Sequence, residues 1–211
     1  MNKPPPRKPA PTQLPIVDLI KERWSPLAFS PEPIEQEKIQ IIFEAARWAP
    51  SSFNEQPWRY IYALKGDEGR ETLESLLVPG NGWAKNAGML MIDFASTIFA
   101  KNGKVNRHAL HDLGAANGFI TLQARSLGLM THQMAGFDFE HANEILGVPK
   151  EFIPGSMMAI GYYGDPSQLD EKQRAREETP RVRRPIQEFA FRGRWGATIE
   201  AQGSERAPTA A

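Results

Sequence analysis

The sequence predicts an α/β or α+β fold organised around one central sheet. Segments with helical and with strand patterning alternate loosely along the chain, and no internal repeat interrupts them. The 211 residues suffice for one domain with a substantial core, and 41% hydrophobic against 24% charged residues marks a globular chain rather than a disordered one.

The elements follow in order. Residues 1–12, rich in Pro and Lys, read as a disordered tail, as do residues 198–211, which leaves a single domain over 13–197. A first helix is expected over 15–23, with Ile16, Leu19 and Ile20 on one face. Ser30-Pro31-Glu32-Pro33 breaks the chain. A second helix over 35–48 carries Ile39, Ile42, Phe43 and Ala46 at the i, i+3, i+4, i+7 spacing, and Ile41, Ala45 and Trp48 widen its apolar face. A strand over 59–64, a helix over 68–77, a loop over 78–86 and a strand over 88–95 follow. The longest helix covers 110–127, with an apolar stripe of Leu110, Leu113, Ile120, Ala124 and Leu127, and Gly128 ends it. Gly114 and Gly118 lie four apart on it and would let another helix come close. Strands over 130–134 and 157–162 flank a short helix over 140–146 that stops at Gly147 and Pro149.

Composition excludes several classes. Zero net charge and a pI near 6.9 argue against nucleic acid as a partner. With no cysteine there is no disulfide, thiolate metal site or cysteine nucleophile. Residues 1–12 lack the apolar core of a signal peptide, and the apolar run 89–95 is short and contains Asp93, so a soluble cytoplasmic protein with no membrane partner is expected.

Four segments could carry chemistry, and each has a plain structural explanation when taken singly. Residues 46–58 read Ala-Arg-Trp-Ala-Pro-Ser-Ser-Phe-Asn-Glu-Gln-Pro-Trp. There a helix stops at Pro50, and Ser51, Ser52, Asn54 and Gln56 crowd a short loop before the next strand. Such a loop can grip the edge of a flat, heteroatom-rich ring, or it is an ordinary polar turn. Arg23-Trp24-Ser25 offers a guanidinium and a hydroxyl two residues apart, suited to one phosphate or to ending a helix. Arg181-Val182-Arg183-Arg184-Pro185 would put Arg181 and Arg183 on one side if extended, or is a solvated basic run. In Gln133-Met134-Ala135-Gly136-Phe137-Asp138, small residues where a strand ends expose backbone N–H groups, or simply make a tight turn, with Asp138 as a candidate cap for the next helix. His108, His111 and Asp112 sit one helical turn apart, but no His-Glu-x-x-His motif accompanies them and no metal site is assigned. Neither Gly-x-Gly-x-x-Gly after a strand, Gly-x-Ser-x-Gly nor a Walker-type loop is present.

In order and spacing these segments resemble the FMN-dependent nitroreductase family. The likeness rests on Arg23-x-Ser25 with Phe29, Ala-Pro-Ser-Ser-x-Asn-x-Gln-Pro-Trp at 49–58, Gly-Leu-Met-x-His-Gln-Met-Ala-Gly-Phe-Asp at 128–138, and Arg181-x-Arg183-Arg184-Pro185. It covers about 15–195. It implies an α+β fold with a central, mostly antiparallel sheet flanked by helices, and an intertwined homodimer with two FMN sites between the chains. Arg23, Trp24, Ser25, Arg181 and Arg183 would then hold the phosphate and ribityl chain. Pro50, Ser51, Ser52, Asn54 and Gln56 would line the ring from the other subunit. Asn81 and Lys85 would reach its pyrimidine edge, and backbone N–H groups among Gln133, Met134, Ala135 and Gly136 would face N5. One departure stands out: many members carry a basic residue where this chain has Leu27, close to the N1 and O2 side of the ring.

The activity implied is a ping-pong cycle in which NADH or NADPH gives hydride to the flavin and a nitroaromatic, quinone or related small molecule then takes it up. The acceptor pocket would be lined by residues 97–108. Leu27 keeps open an FMN-binding protein with little turnover, for storage or sensing. A nucleic-acid-binding segment over 174–194, with seven arginines, is the remaining alternative, disfavoured by the zero net charge.

Overall fold

Four strands form one antiparallel sheet in the order β1-β2-β4-β3: β1 is Trp58–Leu64, β2 Met89–Ser96, β3 Met130–Met134 and β4 Phe152–Gly161. The computed structural model describes residues 6–197; the tail expected over 198–211 and the first five residues lie outside them. Six α-helices lie among the described residues: α1 Asp18–Glu22, α2 Gln36–Arg47, α3 Arg70–Ser75, α4 Ala109–Ser126, α5 Ala142–Leu146 and α6 Glu171–Glu178. The result is an α+β fold with an antiparallel sheet flanked by helices. The chain divides into two compact units, 1–180 and 181–211.

Strand periodicity puts a core on each face of the sheet. Met89, Met91 and Ala95 of β2 face the buried stripes of α2 (Ile39, Ile42, Ala46) and α4 (Leu113, Ala116, Ile120, Ala124). Leu90, Ile92 and Phe94 face the other way, onto Leu73 and Leu76 around α3, Trp83, Ala142 of α5 and the 24–29 segment. Within β2 the inward Asp93 is fully buried on the α4 side and accepts from Asn117 Nδ2 (2.9 Å), Ser156 N (2.8 Å) and Ser156 Oγ (2.6 Å). The β2–β4 register shifts opposite it, and a Cβ on Gly155 would come within 2.3 Å of Asp93 Oδ1, so only glycine fits there. Burial pushes the Asp93 carboxyl up from the usual range.

The elements depart from expectation in places with physical causes. β4 begins at Phe152 rather than 157, because Pro154 and Gly155 serve the shift around Asp93; β3 pairs only from Met157 on, so Pro154 sits where one flank of β4 is open. The 78–86 loop is a 3-10 segment, Pro79–Asn86, tied down by buried Arg70, which donates to the carbonyls of Lys85 (3.1 Å) and Ala87 (3.0 Å) and pairs with Glu74 at 2.7 Å. α6 was not expected; its Asp170–Gln173 capping box is the signal in the sequence. α1 is only five residues long and buries none of them, so Ile16, Leu19 and Ile20 stay exposed. On α4, Leu110 is likewise half exposed instead of joining the core stripe.

Candidate functional site

The 23–27 segment is held extended across the α6 side of the molecule by buried groups. The Leu27 N–H donates to Glu177 Oε2 at 2.7 Å, and His132 of β3 donates from Nδ1 to the Pro26 carbonyl at 2.8 Å. Burial lowers the His132 pKa, so the ring is neutral at pH 7 and its proton sits on the nitrogen that faces the carbonyl. Glu177 itself is buried, and burial followed by its charge raises Tyr163 above the usual phenol range. Trp24 packs into the core against Tyr163, with Lys8 Nζ 4.6 Å over its ring. Its side chain therefore faces protein on both sides. Arg23 and Ser25 point outward together: Arg23 Nη1 donates to Ser25 Oγ at 3.1 Å. A planar cation and a hydroxyl converge there on one spot, the donor set a phosphate takes.

β3 leads from this segment to its neighbours. The His132 ring lies 4.6 Å from that of Trp83, and beyond the strand Asn81 Nδ2 donates to the Gly136 carbonyl at 2.8 Å. A Cβ on Gly136 would meet Asn81 Nδ2 at 2.6 Å, so this close approach requires glycine. Gln133 and Ala135 are exposed, Met134 is buried in the core, and Lys85 is exposed at the end of the 3-10 segment. The structure thus brings Asn81 and Gly136 together beyond β3, on the face that also carries the 24–29 segment, while Gln133, next to His132 and paired with Met158, points to the opposite face of the sheet.

The 51–56 loop is elsewhere. Its Ser52 N–H donates to Asp112 Oδ2 (2.9 Å) in the first turn of α4, and its Gln56 N–H to Ser51 Oγ (3.0 Å). Phe53, Asn54 and Gln56 all have positive φ, of 53°, 57° and 50°, a conformation that costs roughly 1 kcal/mol or more per non-glycine residue. Pro50 and Asn54 are exposed, while the Gln56 amide folds back onto the Asn54 carbonyl at 3.1 Å. The segment before Arg23 is tied to the other end of α4, where Arg125 pairs with Glu22 at 3.0 Å. At the usual helical rise, about 20 Å of α4 separates Asp112 from Arg125. Within one chain the loop therefore does not meet Arg23 and Ser25.

Arg181 and Arg183 belong to the second unit. The stretch 181–185 has no regular secondary structure before the 3-10 turn Ile186–Glu188, and Arg183 Nη1 donates to the Val182 carbonyl at 2.7 Å. Burial and then the charge of Arg183 hold Arg181 below the usual guanidinium range.

Asp112, Glu177 and His132 support these segments, and no local pattern in the sequence marks them for that, since each meets its partner far along the chain. Among the described residues no group of three or more His, Asp or Glu is placed to hold a metal, and no helix is long and apolar enough to cross a membrane.

The sheet with its α2–α4 layer and the polar segments around it is the architecture of an oxidoreductase class found in solved structures. A crystal structure of an oxidoreductase containing FMN superposes with a TM-score of 0.84 at 36% identity, over 89% of this chain and 96% of that one. The family model described as "Nitroreductase family" matches residues 20–162, and the chain belongs to that family, whose members are FMN-dependent oxidoreductases. A 15.4 kDa protein from the ask 5′ region of Mycolicibacterium smegmatis is 38% identical over 130 residues, 62% of this chain and 86% of that protein. The NAD(P)H-dependent FMN reductase of Bacillus subtilis is 28% identical over 169 residues, 72% of this chain and 67% of that protein.

Proposed function

We propose that this protein is an FMN-dependent oxidoreductase that uses NADH or NADPH to reduce nitroaromatics, quinones or related acceptors, as a homodimer whose two cofactor sites are each shared between chains. A cytoplasmic setting and one FMN-binding domain over 13–197 belong to the same proposal. The observation that carries it is the placement of two preformed polar groups at opposite ends of α4. Gly114 and Gly118 on that helix have open space where a Cβ would be, and Leu110 and Phe119 beside them are 50% and 41% exposed. Antiparallel packing of two copies along this flank would carry each 51–56 loop towards the other chain's Arg23.

The residues suit FMN. The converging Arg23 guanidinium and Ser25 hydroxyl match a phosphate with its ribityl chain. Asn81, fixed by Gly136, and exposed Lys85 offer a donor and a charge for the pyrimidine edge. The exposed backbone after Met134 offers N–H groups for N5, and the partner's Pro50, Ser51, Ser52 and Asn54 would cover the ring. Bound FMN would supply the hydride chemistry; the protein binds, orients and screens.

A second reading, an FMN-binding protein with little turnover, is favoured by one observation. Leu27 is buried at 3% exposure and its N–H is taken by a carboxylate, so this position contributes no positive charge beside a bound ring. Purified protein reconstituted with FMN separates these readings. The proposal expects yellow protein whose flavin absorbance bleaches within seconds of adding NADH or NADPH and returns with a quinone. Yellow protein that bleaches only over many minutes would favour the second reading, and failure to take up FMN would end both.

A further inference from the structure

Phe53 is costly by every intramolecular measure. Its side chain is 91% exposed, and its backbone is left-handed, at φ 53° and ψ 22°. Neither burial nor backbone preference accounts for a phenylalanine there, since glycine would relieve the backbone and any polar residue would hydrate better. Yet the position is braced. Ser52 N and Gln56 N are tied on either side of it, and Glu55 Oε1 accepts from Ala100 N at 2.6 Å. That last bond joins the loop to the small hairpin in which Ile98 bridges Val105 and Phe99 N donates to the Lys104 carbonyl. Phe99 meets Phe53 edge to face, with ring centroids 5.9 Å apart and an interplanar angle of 84°. Phe53 is thus steadied by one ring neighbour while almost all of its side chain stays open.

We propose that Phe53, steadied by Phe99, is a specificity-determining residue that stacks on the acceptor and selects flat aromatic ones. This rests on the function proposed above: Phe53 lies between Ser52 and Asn54, so the loop that covers the partner's ring carries Phe53 to the mouth of that site. A fixed aromatic face rewards a planar conjugated acceptor and offers little to a small hydrated anion.

The test uses full-length protein reconstituted with FMN, as wild type, Phe53→Gly, Phe53→Leu and Phe99→Ala. Three quantities are read: calorimetric affinity for 2-naphthoate (a flat, redox-inert probe), thermal midpoint, and turnover with ferricyanide. Phe53→Gly is expected to weaken naphthoate about tenfold while its midpoint holds or rises and ferricyanide turnover falls by a smaller factor than naphthoate affinity. Phe53→Leu should fall between, and Phe99→Ala should weaken naphthoate about threefold. Naphthoate affinity within twofold of wild type in Phe53→Gly would overturn the inference while leaving the proposed function standing. So would release of FMN or loss of the dimer in that variant, which would make Phe53 a cofactor or interface residue. Wild-type protein that takes up no FMN would instead remove the reading on which the inference rests.

Discussion

Residues 23–27 and the 51–56 loop are the two segments to which the proposal assigns one shared ligand, but burial fixes the first and strain accompanies the second. The first is pinned from beneath by Glu177 and a neutral His132, with Trp24 sunk into the core. The second is tied by two carboxylates, Asp112 to Ser52 N and Glu55 to Ala100 N, and keeps three non-glycine residues in the left-handed region. A buried anchor suits a half-site that must hold a charged group in one place. A braced, strained loop suits a half-site that has to reach out of its own chain. The two sit at opposite ends of α4, and this is why the helix's exposed glycine flank matters as much as either.

The strongest way to break the comparison is to block that flank. Gly118→Trp is expected to give a monomer by light scattering and to weaken FMN by at least about a hundredfold, with little change in the circular dichroism of the fold. An FMN-tight monomer would contradict it. Loosening one half at a time should have smaller effects. Glu177→Ala leaves the buried Leu27 N–H without an acceptor and should cost about 1–3 kcal/mol of stability as well as FMN affinity. Asp112→Ala frees the strained loop and should lower FMN affinity roughly tenfold at a smaller cost in denaturant midpoint. Equal effects of the two on stability would erase the distinction.

The smallest effect is in pH. Burial holds the folded His132 below its ordinary value of 6.5, so near that pH the unfolded chain binds more protons than the folded one. Its contribution to stability is therefore complete above about pH 6.5 and is lost as pH falls towards the folded value, at no more than about 1.4 kcal/mol per unit. Urea midpoints at pH 5 and 7.5 should differ less in His132→Gln than in wild type, and an unchanged difference would remove His132 as the cause.

Long, periodic segments were legible in the sequence. α2, α4 and β3 fall within a residue or so of where patterning puts them, since the residues that set the period are those the core buries. What the sequence hid depends on distant partners. Pro154 and Gly155 fall outside the strand expected over 157–162 until Asp93 is seen opposite them, and Leu110 looks like core until α4 is seen to leave one flank bare. The polar segments of the site were visible, because Ser, Asn and Arg clusters stand out locally. Their supports were not: nothing near Asp112 or Glu177 in the chain says that each will meet a backbone N–H, 60 and 150 residues away respectively.

The shared site can be tested by complementation. Arg23→Ala in one chain and Ser51→Ala with Ser52→Ala in another each damage both sites of their own homodimer. Co-expressed under separate tags and purified as a heterodimer, the pair should regain one intact site, binding one FMN per dimer with wild-type affinity. If Arg23 and the serines of a single chain serve the same site, each site of the heterodimer keeps one defect, and no tight FMN binding would return.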